Sequence, residues 1–210
     1  ITTNTEFPRF EELKPILERI GDQKLYNRVS SFFDFDVFMG QTGFQECFFR
    51  GGHVIQLNTL PDEGTKKAVA GMVLMGIYNA LVGGDHCPDR IRIVLVVDEA
   101  HKVANLKETI DLLKEGRKYG CSVLLASQEA KDFGDAIYSN VGSLLCLNLK
   151  ETRNSEMIAR QIGGEHNFRS LAGKIRNLGT YRGFFKNDHY KDPYTSVIIE
   201  PYIERFGNYG

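Results

Sequence analysis

The apolar residues of this chain fall into short runs separated by polar turns, and from residue 52 onward the runs keep a regular order. "HVIQL" at 53–57 is a strand-length apolar run, and "NTLPDEGTK" supplies turn chemistry. Val69, Val73, Ile77 and Leu81 then recur at helical spacing within Lys66 to Leu81. After the loop "VGGDHCPD", the segment "IRIVLVVDEAHKV" (91–103) places Ile93 to Val97 in an apolar strand that stops on two carboxylates, Asp98 and Glu99. Val103, Leu106, Ile110 and Leu113 mark the next helix, which Gly120 is suited to end in a left-handed conformation. "CSVLLAS" predicts a strand, "KDFGDAIYSN" a short helix, "SLLCLNL" a strand and Asn154 to Ile162 a further helix. Strands that are apolar nearly throughout and alternate with helices predict an α/β fold, with a mainly parallel sheet covered by helices on both faces.

The two ends read differently. "PRFEELKPILERI" (8–20) puts Phe10, Leu13, Leu17 and Ile20 on one helical face; Pro8 suits a first helical position, and Pro15 argues against the helix. Asp22 to Phe33 reads as a second helix, and "DFDVFMGQTGF" as strand or loop. Near the other end "HNFRSLAGKIRNL" is helical, while "GTYRGFF" and "YTSVIIE" read as an antiparallel strand pair at the sheet edge. The expected organisation is a helical or irregular extension over residues 1–50 and one α/β domain over 51–210.

Ligands of open α/β sheets bind outside the carboxyl ends of the strands, the edge on which Asp98 and Glu99 fall. Adjacent carboxylates at a buried strand end need compensation, and a divalent cation supplies it. In nucleotide hydrolysis one such carboxylate holds Mg²⁺ through its water shell while the next polarises the water that attacks the γ-phosphate. Asp98 suits the first task and Glu99 the second. The competing account is a helix start, where acidic side chains favour the macrodipole. "ASQ" brings Ser127 and Gln128 to the same edge. A neutral amide there both donates to a phosphate oxygen and accepts from water, as a γ-phosphate sensor must. Arg117 and Lys118 in "KEGRKYG" have two readings: cations that complement a helix C-terminus, or an arginine that reaches phosphate bound by a neighbouring subunit.

Composition narrows the setting. A hydrophobic content of 42% and a charged content of 25% are those of an ordinary globular chain, and 210 residues suffice for a sizeable core. Lys and Arg number 26 against 27 Asp and Glu, so any surface facing nucleic acid must be local. The apolar runs are too short to cross a bilayer and no basic-then-apolar signal segment opens the chain, so a soluble, cytoplasmic protein is expected. The cysteines, Cys47, Cys87, Cys121 and Cys146, show no paired metal-ligand spacing; Cys121 and Cys146 lie in apolar runs, where a thiol behaves as a small hydrophobe. His86-Cys87 lacks the second half of a metal site and reads as loop. The opening "ITTNTEF", without Met, leads to the expectation of a piece from a longer protein.

In order and spacing, "IVLVVDEAHKV", "LKEGRKYGCSVLLASQEAKDF" and "IYSNVGSLLCLNLKETRNSEMIAR", closed by "GTYRGFF" and "SVIIEP", resemble the C-terminal half of the HerA/FtsK group of P-loop ATPases over about residues 52–200. The resemblance implies a RecA-like sheet, ATP and Mg²⁺ as cofactors, a hexameric ring, and ATP-driven movement of DNA as a translocase or helicase. Within the group, the ATPases of DNA phosphorothioation-dependent restriction are the narrower resemblance, which would add a nuclease partner. Carried over to this chain, Asp98 is the metal-holding and nucleotide-binding carboxylate, Glu99 the catalytic one, Gln128 the sensor at the nucleotide, and Arg117 the arginine offered to a neighbour. The group's phosphate loop, G-x-x-x-x-G-K-[ST], does not occur: "GQTGFQE" from Gly40 has glycines at the wrong spacing and no lysine, and Gly173-Lys174 is followed by Ile175. The loop is expected upstream of Ile1, and the chain alone is expected not to hydrolyse ATP.

Other readings compete. "DEAH" also marks a class of helicases with two tandem RecA-like domains, but these place a Ser-Ala-Thr signature where this chain has "ASQ"; His101 then reads as a surface or interface residue. A conjugation or secretion ATPase of the same superfamily shares the motor. A non-catalytic assembly module with a degenerate nucleotide fold is favoured by the missing loop and opposed by the retention of Asp98, Glu99 and Gln128. Lys174, Arg176, Arg182 and Lys186 are solvated cations or a DNA-facing strip whose phosphate contacts would be salt-dependent.

Overall fold

In a computed structural model of the chain, the described residues are 13–33, 51–60 and 62–200. The expectations for Pro8, Phe10, "DFDVFMGQTGF" and Cys47 lie outside them. The chain divides into two compact units, residues 1–84 and 85–210.

The first unit is mainly helical among its described residues. Helix α1 is described over Leu13–Ile20 and includes Pro15, so the proline does not exclude the helix. After Gly21, Asp22 starts α2 (Gln23–Phe33), its Oδ1 accepting from the N–H groups of Lys24 and Leu25 at 2.9 and 3.1 Å. Helix α3 (Glu63–Val82) is capped by Asp62, whose Oδ1 accepts from Thr65 N at 2.9 Å. The Thr65 hydroxyl, donating to the same carboxylate, is the main reason the Asp62 acid is held below its ordinary range. Val69, Leu74, Ile77 and Leu81 form the buried face of α3, with Val73 half-buried beside them. "HVIQL" forms no strand: residues 53–57 lack regular structure and Val54 is 88% exposed. A run broken by His53 and Gln56, without a ladder partner among the described residues, has neither the hydrogen bonds nor the burial that stabilise a strand. No described helix is long and apolar enough to cross a membrane.

The second unit holds the sheets. Strands β1 (Ile93–Val97) and β2 (Cys121–Leu125) pair in parallel, Ile93 opposite Cys121 and Val97 opposite Leu125. Helix α4 (Lys107–Glu115) makes the crossover, anchored by the buried Thr109 hydroxyl donating to Val103 O at 2.7 Å. Beyond a short helix α5 (Asp135–Tyr138) come β3 (Ser143–Cys146), α6 (Thr152–Gly163), α7 (Phe168–Arg176), β4 (Arg182–Asn187) and β5 (Thr195–Ile198). The α/β class and the antiparallel closing pair are as expected, but "SLLC" differs: β3 runs antiparallel to β4, Cys146 opposite Phe184, within a separate three-stranded sheet. The core of this part joins Ile158, Ala159 and Ile162 of α6 to Leu171, Ala172 and Ile175 of α7, over Cys146 and Phe184. Ala159 and Ala172, both 0% exposed, let the two helices approach closely.

Within the second unit the two faces of β1 and β2 differ. Ile93, Leu95 and Val97 are half-buried, whereas Val94 and Val96 on the opposite face, and Leu124 of β2, remain exposed. A strand presents alternate side chains to opposite faces, and no described element of the second unit covers the Val94 face.

The start of the parallel pair hangs on Gly120. Its φ of +71° is left-handed, and its carbonyl accepts from both Arg92 N (2.7 Å) and Ile93 N (3.2 Å). A Cβ there would stand 2.5 Å from Arg90 O and 3.0 Å from Cys87 O. We expect Gly120→Ala to lose about 2–4 kcal/mol of stability, since strain and backbone overlap act together. Urea denaturation checks this, and an unchanged midpoint would contradict the assigned role.

Candidate nucleotide-facing site

Because β1 and β2 are parallel and level, the segments beyond their last residues emerge at the same end of the pair. Two backbone bonds fix those ends together: Ala126 N to Val97 O at 2.9 Å, and Ala100 N to Ala126 O at 2.7 Å. Between Val97 and Ala100 the chain must turn sharply, and Glu99 takes up the turn at φ 50°, ψ 47°. That left-handed conformation costs a non-glycine residue on the order of 1–2 kcal/mol. Its effect is to send Ala100, 0% exposed, into the core while Glu99 points outward.

At this end the side chains gather around Glu99. Asp98 is exposed, and its Oδ1 accepts from Glu99 N at 2.9 Å. Glu99 Oε1 accepts from Gln128 Nε2 at 2.7 Å, and Glu99 Oε2 lies 3.2 Å from His101 Nδ1. The Glu99 and His101 side chains are 43% and 41% exposed. The premise of a buried strand end therefore gives way: both carboxylates reach solvent, and no burial penalty demands a cation. Ser127, read as a companion of Gln128, instead donates its hydroxyl to the Asp132 carboxylate. Arg117 is exposed in the 3-10 turn Gly116–Tyr119 that precedes β2. The length of β2, roughly 16 Å at about 3.3 Å per residue, separates it from Gln128, so Arg117 is not brought to Glu99 within one chain.

Sequence reasoning missed His101. The available signal was its position two residues past Glu99 in a tight turn, which returns the two side chains to one side. The basic strip also changes. Arg176 donates from Nη1 to Ser155 Oγ at 3.1 Å and Lys186 from Nζ to Gln161 O at 3.0 Å, so both brace the fold; Lys174 and Arg182 are exposed.

Among the described residues no group of three or more His, Cys, Asp or Glu could hold a metal ion. Asp98 fits a different demand, since Mg²⁺ keeps most of its waters and needs one or two carboxylates beside the phosphates. His86 packs edge-on against the Tyr119 ring at 5.1 Å, as a loop residue. Burial pushes the Cys121 and Cys146 thiols up to about 11 and about 12, which keeps them protonated and inert.

Residues 92–173 match the family model described as the TraM recognition site of TraD and TraG. The DNA import protein CedB of Sulfolobus acidocaldarius is 28% identical over 131 residues, covering 58% of this chain and 21% of CedB. Among solved structures, the plasmid coupling protein TrwB bound to the GTP analogue GDPNP is similar at a TM-score of 0.50 and 18% identity, over 66% of this chain and 37% of TrwB. The genome packaging NTPase of Sulfolobus turreted icosahedral virus 2, bound to AMPPCP, gives a TM-score of 0.47 and 16% identity over 64% of this chain and 62% of the NTPase. The chain thus spans about a fifth of its curated relative's length. The likeness to TrwB, at that identity, shows the fold alone, that of a P-loop NTPase.

Proposed function

We propose that this chain forms the water-activating part of an FtsK/HerA-type ATPase that moves DNA. The observation that carries the reading is the hydrogen bond from Gln128 to Glu99 at the shared end of β1 and β2. It joins the two groups that γ-phosphate hydrolysis needs side by side, a carboxylate base and a neutral amide.

The roles follow from position. Asp98, with Oδ2 uncommitted among the described residues, would hold Mg²⁺ through water; the ion, when bound, neutralises charge on the phosphate oxygens. Glu99 takes a proton from the attacking water as its oxygen bonds to the γ-phosphorus and the bond to the β–γ bridging oxygen breaks. Gln128 donates to a γ-phosphate oxygen. Arg117, exposed and a strand's length away, would serve a neighbouring subunit in a hexameric ring. The reading also requires a phosphate-gripping loop that these 210 residues do not contain, so turnover is expected of the longer protein and not of the chain alone.

TrwB has been solved with a GTP analogue, and CedB is a DNA import protein. Those relatives support nucleotide as cofactor and DNA as cargo here. Within the class, a coupling role in DNA transfer is favoured over restriction defence with a nuclease partner, because residues 92–173 match the segment described for TraM recognition. That match also adds support to the assembly-module reading.

In the longer protein, Glu99→Gln should lower ATP turnover by about 100-fold or more while leaving nucleotide affinity within about twofold. Phosphate-release assays and fluorescent-nucleotide titration measure the two quantities; equal turnover in wild type and Glu99→Gln would remove Glu99 from the chemistry. Mixing Arg117→Ala with Glu99→Gln subunits should restore part of the activity, because some interfaces then pair an intact Glu99 with an intact Arg117. No restoration at any mixing ratio would count against an arginine acting between subunits.

A further inference from the structure

We infer that His101 is a positioning residue for Glu99. It anchors one carboxylate oxygen while Gln128 holds the other only until nucleotide arrives. The inference rests on the reading of Glu99 as the base.

Glu99 Oε1 accepts from Gln128 Nε2 at 2.7 Å, and Oε2 lies 3.2 Å from His101 Nδ1, at ion-pair distance. While Gln128 occupies Oε1, that oxygen is not open to a water.

The two partners are not equivalent. Gln128 is exposed on the segment after β2, and its amide is the group suited to a γ-phosphate oxygen. His101 belongs to the same short turn as Glu99, the 3-10 helix Ala100–Lys102, which is pinned by Ala100 N to Ala126 O and by Ala104 N to Ala100 O, both at 2.7 Å. When Gln128 turns to phosphate, Oε1 is released to accept the proton of water. His101 Nδ1–H, already 3.2 Å from Oε2, then closes a hydrogen bond to it and keeps the carboxylate from swinging into solvent. The left-handed backbone at Glu99 limits the directions its side chain can take, so one further contact suffices to orient it.

The first measurement needs no turnover. In the nucleotide-free full protein, with histidine ring nitrogens labelled and a mildly alkaline buffer, NMR should show His101 mainly as the Nδ1–H tautomer. Its signal is identified by its loss in His101→Asn. Glu99→Ala should move it to the Nε2–H preference of a free imidazole; the same tautomer in both proteins overturns the contact.

The second measurement is kinetic. His101→Ala should lower kcat by about tenfold with KM for ATP little changed, and His101→Asn, whose amide can take the place of Nδ1–H, should recover most of the loss. An unchanged kcat in His101→Ala, or an Asn variant no better than Ala, overturns the positioning role. If Glu99→Gln is inactive while His101→Ala is normal, only the role of His101 fails. If Glu99→Gln retains full turnover, the proposed chemistry fails with it.

Discussion

The level, parallel register of β1 and β2 is the constraint on which the site rests. Val97 stands opposite Leu125, so two segments far apart in sequence leave the sheet together and Glu99 meets Gln128. A slip of one residue would turn alternate side chains to the other face and separate the pair. The register is secured at both ends: at the start by Gly120, whose carbonyl receives two N–H groups, and at the finish by the bonds linking Val97, Ala126 and Ala100. None of the residues that secure it carries the chemistry.

How much of this was legible depends on whether the cause was local. Helix α3 could be read because Val69, Ile77 and Leu81 mark its buried side, and Gly120 because a left-handed end is a property of one residue. Asp98, Glu99 and Gln128 could be placed on one edge because parallel strands of equal length end together. Most of what escaped depends on partners distant in sequence. The direction of β3 is set by its pairing with β4, some forty residues on, and an apolar run such as "SLLC" reads the same either way. "HVIQL" has the composition of a strand without the ladder that would make it one. The contact of His101 with Glu99 arises from the sharp turn at Glu99, and no residue type announces such a turn there.

The exposure of the cluster carries its own chemical meaning. At 43% exposure the Glu99 carboxylate sits in a medium close to water, where hydrogen bonds and charges act weakly. Efficient hydrolysis requires that water be excluded and the dielectric lowered as the nucleotide is engaged. The surfaces that do this must come from elements other than β1, β2 and the turns beyond them. On the proposed reading, such a cluster would be chemically quiet when alone and become reactive on being enclosed.

The uncovered face of the parallel pair has a consequence for the life of the polypeptide before it is fully folded. Val94, Val96 and Leu124 form an apolar, branched and exposed surface on strands with few charges between them. Among the described residues β2 has β1 as its sole ladder partner, which leaves a free edge. Such a surface associates with similar ones in other molecules through the same backbone bonds and side-chain packing that build a sheet. During synthesis, folding is therefore a race between capture of this face by its proper neighbours and capture by another nascent chain. Crowding and slow assembly favour the second outcome, and the strand that presents Glu99 then becomes a site of coaggregation.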